Sequence, residues 1–216
     1  GGIYHSQSID SYFFNMPGIR VAFPSNASDA KGLLKAALRM NDPVLFLEHK
    51  GLYRQGYAST AEPDDNYLLP FGKANIIEEG DVLTLICWGA MVQKSIDAIK
   101  ASNLENGEVE LIDLRTLNPI DWDTIYRSVE KTGKLLIVHE DLLTGGVGAE
   151  IAAKVSDNLF LQLKNTFTSK YKKIADSNGL INLLIVKPKS LFDKFWENSV
   201  GEILHPGQKQ HIRQQA

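Results

Sequence analysis

The sequence predicts an α/β fold in three layers, with helices packed on both faces of a mainly parallel sheet. Three observations carry that prediction. Strand-like apolar runs alternate with helical stretches along most of the 216 residues, the pattern of repeated strand–helix units joined by right-handed crossovers. The runs Val44–Glu48 and Leu135–Val138 are continuously apolar rather than alternating, as in strands covered on both faces. Glycines at Gly89 and in Gly145-Gly146-Val147-Gly148 stand where a strand must turn into a helix. In such folds the loops that carry function lie at the carboxyl ends of strands.

In chain order, Ile9, Tyr12, Phe13 and Met16 recur at helical spacing over Ser8–Met16, and Pro17-Gly18 stops that helix. Ile19–Pro24 alternates like a strand and ends at a proline. Ser28 or Asp29 is placed to cap a helix from about Ala30 to Arg39, with Leu33, Leu34, Ala37 and Leu38 on one face. Asn41-Asp42-Pro43 breaks it before the Val44–Glu48 strand. From Gly51 to Pro70 the composition shifts to Gly, Pro, Asp, Tyr and Ser without periodicity, which marks a long connection and a domain boundary. Strand Val82–Trp88 and a helix from about Val92 to Ala101 follow. Strand Val109–Leu114 leads to a short helix opened by Asp121 or Asp123 and running through Val129. Strand Lys134–His139 precedes a helix from about Ala149 to Asn158. Beyond it, Leu180–Val186 reads as a strand and Ser190–Leu204 as an amphipathic helix bearing Phe192, Phe195 and Trp196. The expected organisation is residues 1–60, a linker at 61–72, a second domain at 73–163 and a tail at 164–216.

Composition narrows the function. A formal net charge of -3 offers no electrostatic case for binding nucleic acid. The single cysteine, Cys87, excludes an internal disulfide and a cysteine zinc site, and it fits a reducing compartment. No apolar run approaches the roughly 20 residues that a membrane-crossing helix needs, and the opening residues lack a basic-then-apolar leader pattern. The expectation is a cytoplasmic protein with neither nucleic-acid nor membrane partners.

Four motifs bear on chemistry. Gly145-Gly146-Val147-Gly148 would let a backbone approach an anion at a helix N-terminus. It matches neither the dinucleotide nor the phosphate-loop pattern, so close strand-to-helix packing is the favoured reading. His139-Glu140-Asp141 ends a strand, where an imidazole beside two acids suits a general base or half of a metal site. With no second histidine at helical spacing, a hydrogen-bonding or interface role is favoured. Asp113 and Arg115 suit substrate orientation and a loop-fixing ion pair equally. His5, in GGIYHSQS, has hydrogen-bonding neighbours and precedes a helix whose dipole keeps an imidazole neutral and able to exchange protons near pH 7. Local sequence alone favours an exposed, idle side chain there.

Longer blocks in fixed order point further. They are His5-Ser6-Gln7-Ser8, Met16-Pro17-Gly18-Ile19-Arg20-Val21, Asp29-Ala30-Lys31-Gly32-Leu33-Leu34, Asp42-Pro43-Val44 and Leu47-Glu48-His49-Lys50. Pro70-Phe71-Gly72-Lys73-Ala74, Trp88-Gly89-Ala90-Met91-Val92, Asp113-Leu114-Arg115-Thr116-Leu117-Asn118-Pro119 and Thr144-Gly145-Gly146-Val147-Gly148-Ala149-Glu150-Ile151 continue the series. Together they resemble the beta subunit, or beta-like half, of the thiamine-diphosphate-dependent first component of 2-oxoacid dehydrogenase complexes. Pyruvate and branched-chain 2-oxoacid enzymes both belong there. The resemblance covers residues 1 to about 163.

It implies that residues 1–60 form the second half of a pyrimidine-binding domain and residues 73–163 a transketolase C-terminal-like domain. It implies oxidative decarboxylation of a 2-oxoacid and acyl transfer to a lipoyl group on the second component, with His5 as the proton donor in that transfer. Implied partners are an alpha subunit or alpha-like half, the lipoyl-bearing second component, and a second copy of the chain. Thiamine diphosphate and magnesium are expected to be held with the alpha part and the family's preceding segment, where the glutamate that activates the aminopyrimidine and a GDG…N pattern belong. The resemblance also maps a potassium site onto Ala37, Leu38, Met40 and Asp42, built mostly from carbonyls. On this reading the chain is a fragment, inactive alone. Two departures accompany it: the family's segment ahead of GGIYHSQS is absent, and the stretch from Lys164 does not follow the family's pattern. Another transketolase-like enzyme and a non-catalytic association module are the alternatives.

Overall fold

The computed structural model describes residues 8–102, 104–163 and 182–186. The opening residues that carry His5 and the helix expected at Ser190–Leu204 lie outside the described residues. Two sheets organise the rest. The first contains β1 (Arg20–Ala22), β2 (Val44–Phe46) and β6 (Thr116–Asn118), ordered β2-β1-β6. The second contains β3 (Asn75–Glu78), β4 (Leu83–Cys87), β5 (Val109–Asp113), β7 (Leu135–His139) and β8 (Asn182–Val186), ordered β3-β5-β4-β7-β8.

The inner strands of the second sheet are the parallel ones expected. β4 pairs parallel with β5 through Leu85↔Leu111 and with β7 through Leu85↔Leu136. Both edges are antiparallel, β3 against β5 and β8 against β7, and they flank the parallel core that the sequence predicts. β4, β5 and β7 are buried along their whole length, which explains their continuous apolar sequence. Period-two alternation divides them between two cores. Ile86, Ile112 and Ile137 face α4 (Trp122–Thr132) and α5 (Val147–Asn158), which contribute Ile125, Val129, Ile151 and Val155. Leu85, Leu111, Leu136 and Val138 face α3 (Met91–Ala101) through Met91, Val92 and Ala98. These are the three layers.

Several elements differ from expectation in instructive ways. α2 spans Ala27–Ala37 and is capped by Asn26, whose side chain accepts from the Asp29 amide; neither Ser28 nor Asp29 caps it. Asp29 is held elsewhere by an ion pair, as described below. β2 is only partly buried, because it lies at the edge of its sheet. α4 begins at its expected cap, Asp121, and ends at Gly133 in the left-handed conformation, φ 71°. β3 and β6 have no sequence signal of their own. Each is a short edge segment whose ladder comes from a partner distant in sequence. β6 is the more consequential, because it crosses the sequence boundary and pairs antiparallel with β1. The core follows it, as Val21, Phe23 and Leu117 join the cluster that fills the second sheet's α4–α5 face. The expected strand in the tail is present as β8. No helix among the described residues is long and apolar enough to cross a membrane.

Candidate functional site

The carboxyl ends of the parallel strands from both sheets face one another, and the loops leaving them meet in a polar seam. Beyond β1, the Ser25 hydroxyl donates to Asp113 at the end of β5, 2.5 Å away. Arg115 sends Nε and Nη2 to the two oxygens of Asp29, at 2.7 and 2.8 Å, a bidentate pair that ties the β5–β6 turn to the first turn of α2. Beyond β2, His49 Nε2 lies 2.9 Å from Glu140 just after β7. His49 Nδ1 accepts from the Gly51 amide, so Nε2 carries the proton and donates it to Glu140. The Phe23 ring packs where Gly89 leaves β4; a Cβ at Gly89 would lie 2.8 Å from that ring.

The fifth contact involves α1 (Asp10–Phe14). Its sequence predicts an inward face of Ile9, Tyr12, Phe13 and Met16, but Ile9, Tyr12 and Met16 are exposed and Asp10 is fully buried. Trp88 Nε1, just after β4, donates to Asp10 Oδ2 at 2.8 Å, and the Ser8 hydroxyl donates to Oδ1 at 2.9 Å. The Ser11 amide donates to Asp141 Oδ2 at 2.7 Å. Specific hydrogen bonds at the seam therefore outweigh the apolar pattern of a five-residue helix.

Burial shapes the titration of these groups. It pushes the Asp113 carboxyl up to about 7, against the Ser25 hydroxyl and the Arg115 amide that favour its charge. Burial and the neighbouring Asp141 push Asp10 up to about 6. Burial works against Asp141 as well, but hydrogen bonds from Ser11, Asp10 and Leu142 hold it below the usual carboxylate range. The His49 hydrogen bond lowers Glu140. Burial lowers His139, only partly offset by Asp141. Cys87 is raised by burial and by Asp113, so it is a packed thiol rather than a nucleophile.

The residues singled out in the sequence fall into place around this seam. His139 is buried and stacks on Trp88, with ring centroids 5.4 Å apart. Both its nitrogens lack a hydrogen-bond partner among the described residues, so the ring is held there by packing rather than by the hydrogen bond expected of it. The glycine run packs against it: a Cβ on Gly148 would lie 2.6 Å from His139 Nε2, and one on Gly146 2.0 Å from the Leu142 carbonyl. Close packing, not an anion, explains those glycines. Arg115 takes Asp29, not Asp113, as its ion partner. Sequence reading missed Asp10 and Asp29 as functional positions, because burial of an acid in a first helical turn leaves no local signature.

A family of transketolase C-terminal domains matches residues 72–171, and the transketolase pyrimidine-binding domain matches residues 1–55. The chain belongs to the transketolase-like family. Within that family it is similar to beta subunits of 2-oxoacid dehydrogenases. It is 45% identical over 165 residues to the Dictyostelium discoideum mitochondrial 2-oxoisovalerate dehydrogenase subunit beta, covering 76% of this chain and 44% of that protein. It is 42% identical over 163 residues to the Bacillus subtilis 2-oxoisovalerate dehydrogenase subunit beta, with 76% and 49% covered. The pyruvate dehydrogenase E1 component subunit beta of Staphylococcus epidermidis is 42% identical over 168 residues, with 76% and 51% covered. The chain thus spans about half the length of the curated relatives it matches. A solved split-gene transketolase, described as an inactive beta4 tetramer, shares the fold with a TM-score of 0.58 at 24% identity, over 70% of this chain and 49% of that one.

In this transketolase-like chain, no group of three or more His, Cys, Asp or Glu among the described residues could hold a metal ion. The C-terminal end of α2 is different in kind. The Ala37 carbonyl accepts from the Met40 amide, Leu38 is exposed, and the Asp42 carboxylate is 3.0 Å from Arg20 Nε. Carbonyls at the negative end of a helix suit a hard monovalent cation, while Arg20 already meets part of the Asp42 charge.

Proposed function

We propose that the chain supplies the beta part of a thiamine-diphosphate-dependent 2-oxoacid dehydrogenase first component, working with an alpha subunit or alpha-like half. The similarity to both branched-chain and pyruvate beta subunits across 76% of the chain carries this reading. When bound, thiamine diphosphate with magnesium would supply the carbanion chemistry that 2-oxoacid decarboxylation needs. Those groups are assigned to the alpha part and to beta residues outside this chain, and turnover is expected only with them. His5 is assigned to donate a proton as the acyl group passes to a lipoyl arm on the second component. Ala37, Leu38, Met40 and Asp42 are assigned to potassium, chiefly through carbonyl oxygens.

The test is reconstitution with an alpha part and the complete beta region, using pyruvate and a branched-chain 2-oxoacid as separate substrates. A His5→Ala change is expected to slow lipoyl acylation more than decarboxylation. Lipoyl acylation at the unaltered rate would remove His5 from the reaction. Absence of thiamine-dependent decarboxylation in the unaltered assembly would remove the enzyme reading.

A second reading has its own observation. Tyr12 on α1, Ile9 and Met16 flanking it, and Leu142 and Leu143 after β7 are exposed around a shared anchoring point, Ser11 on Asp141. An apolar surface of this kind suits association with a second copy or with the alpha part. Sedimentation across a concentration series distinguishes self-association from a strictly monomeric chain.

A further inference from the structure

We infer that Asp10 and Asp141 share one proton, and that this proton together with the Trp88 indole positions α1 on the end of β7. The geometry leaves little choice. Asp10 is fully buried, and its two oxygens accept from Trp88 Nε1 at 2.8 Å and from the Ser8 hydroxyl at 2.9 Å. Its carboxyl also hydrogen-bonds that of Asp141. Asp141 oxygens accept from the Ser11 and Leu142 amides, both at 2.7 Å. Two carboxyls can hydrogen-bond directly only when one of them carries the hydrogen. Asp141, with two amides donating to it, is the better anion, so the proton sits on Asp10 and is donated to Asp141.

The titratable groups facing the pair are few. His139 of β7 lies on the Trp88 ring and is kept neutral by its burial, so it does not offset a second negative charge. Among the described residues, no charged group from α5, β1 or β6 contributes to the shift of Asp10. Loss of the shared proton therefore places two like charges side by side, and the contact between α1 and β7 weakens. The sign follows from a carboxyl raised from 3.8 to about 6. The advantage of the docked state is complete below the unfolded value and is lost as pH rises through about 6. A span of roughly two pH units corresponds to up to about 100-fold in the docking equilibrium. Asp10, Trp88 and Asp141 act here as positioning residues for α1. The inference does not depend on any role for His5.

The test is hydrogen exchange of the Ser11 and Tyr12 amides, measured by NMR on the full chain at pH 5 and pH 7.5 and corrected for intrinsic exchange. Protection is expected to fall by about tenfold between the two values, the remainder of the span lying below pH 5. Asp10→Asn, whose side-chain amide donates to Asp141 while its oxygen still accepts from Trp88, is expected to keep protection at both values. Trp88→Phe is expected to reduce protection at both while keeping the slope. A flat profile in the unaltered chain overturns the shared proton, as does an undiminished slope in Asp10→Asn. Unaltered protection in Trp88→Phe overturns the part assigned to the indole.

Discussion

Replacing Arg115 by methionine tests the seam between the two sheets at its most buried ion pair. The methionine keeps the length and apolar stem of the side chain. It also keeps the left-handed backbone at this position, φ 59°, so the change isolates the guanidinium. The loss removes both hydrogen bonds to Asp29, whose side chain is 2% exposed. Removing one member of a buried pair costs about 3–5 kcal/mol, because the remaining charge is left without compensation. Asp29 retains the Asn26 side-chain amide at 3.0 Å, which points to the lower end, about 3 kcal/mol. With a slope of about 2 kcal/mol per molar urea, the unfolding midpoint falls by about 1.5 M. The assay is urea denaturation followed by circular dichroism, at constant slope. The double change Asp29→Asn with Arg115→Met removes the stranded charge and is expected to return to within about 1 kcal/mol of the unaltered chain. A midpoint shift below about 0.5 M in the single variant would refute the reasoning, as would additive losses in the double.

Gly148→Ala is expected to lower the melting temperature although alanine favours helices, since its Cβ meets His139 at 2.6 Å and overpacking costs about 1–3 kcal/mol; a rise in melting temperature would contradict this. Asp113, raised to about 7 by burial, contributes stability that is complete below about pH 4 and lost as pH climbs through 7. Asp113→Asn should therefore flatten the stability profile between about pH 4 and 7, and an unaltered profile would show that the carboxyl is not the titrating group. If the end of α2 holds potassium, replacing potassium by choline at equal ionic strength should lower the melting temperature, and Asp42→Ala should reduce that difference; identical melting curves in the two salts would dismiss the site.

The helices and central strands were legible because their signals are local. α4 carries its cap Asp121 and its stop Gly133 within a dozen residues, and β4, β5 and β7 announce double-sided burial by continuous apolar sequence. β3 and β6 were not legible, because an edge strand of three or four residues takes its hydrogen bonds from a partner the local pattern does not name. The same holds for the seam. Glu140, Asp113 and Arg115 stood out as strand-end residues, yet their partners His49, Ser25 and Asp29 come from a segment about 86 to 91 residues earlier.

By itself, the sequence determined the α/β class, the order of its principal elements, the placement of strand-end chemistry and the kinship with 2-oxoacid dehydrogenase beta subunits. These follow from periodicity, punctuation by glycine and proline, and motifs in a fixed order. Only the tertiary structure decided that the strand-end loops close on one another and that β6 joins the first sheet. It alone buried Asp10 while leaving Tyr12 and Met16 in solvent. The physical reason is one of range: a helical pattern records which face is apolar, whereas a buried carboxyl is tolerated only when donors from elsewhere in the chain arrive to meet it.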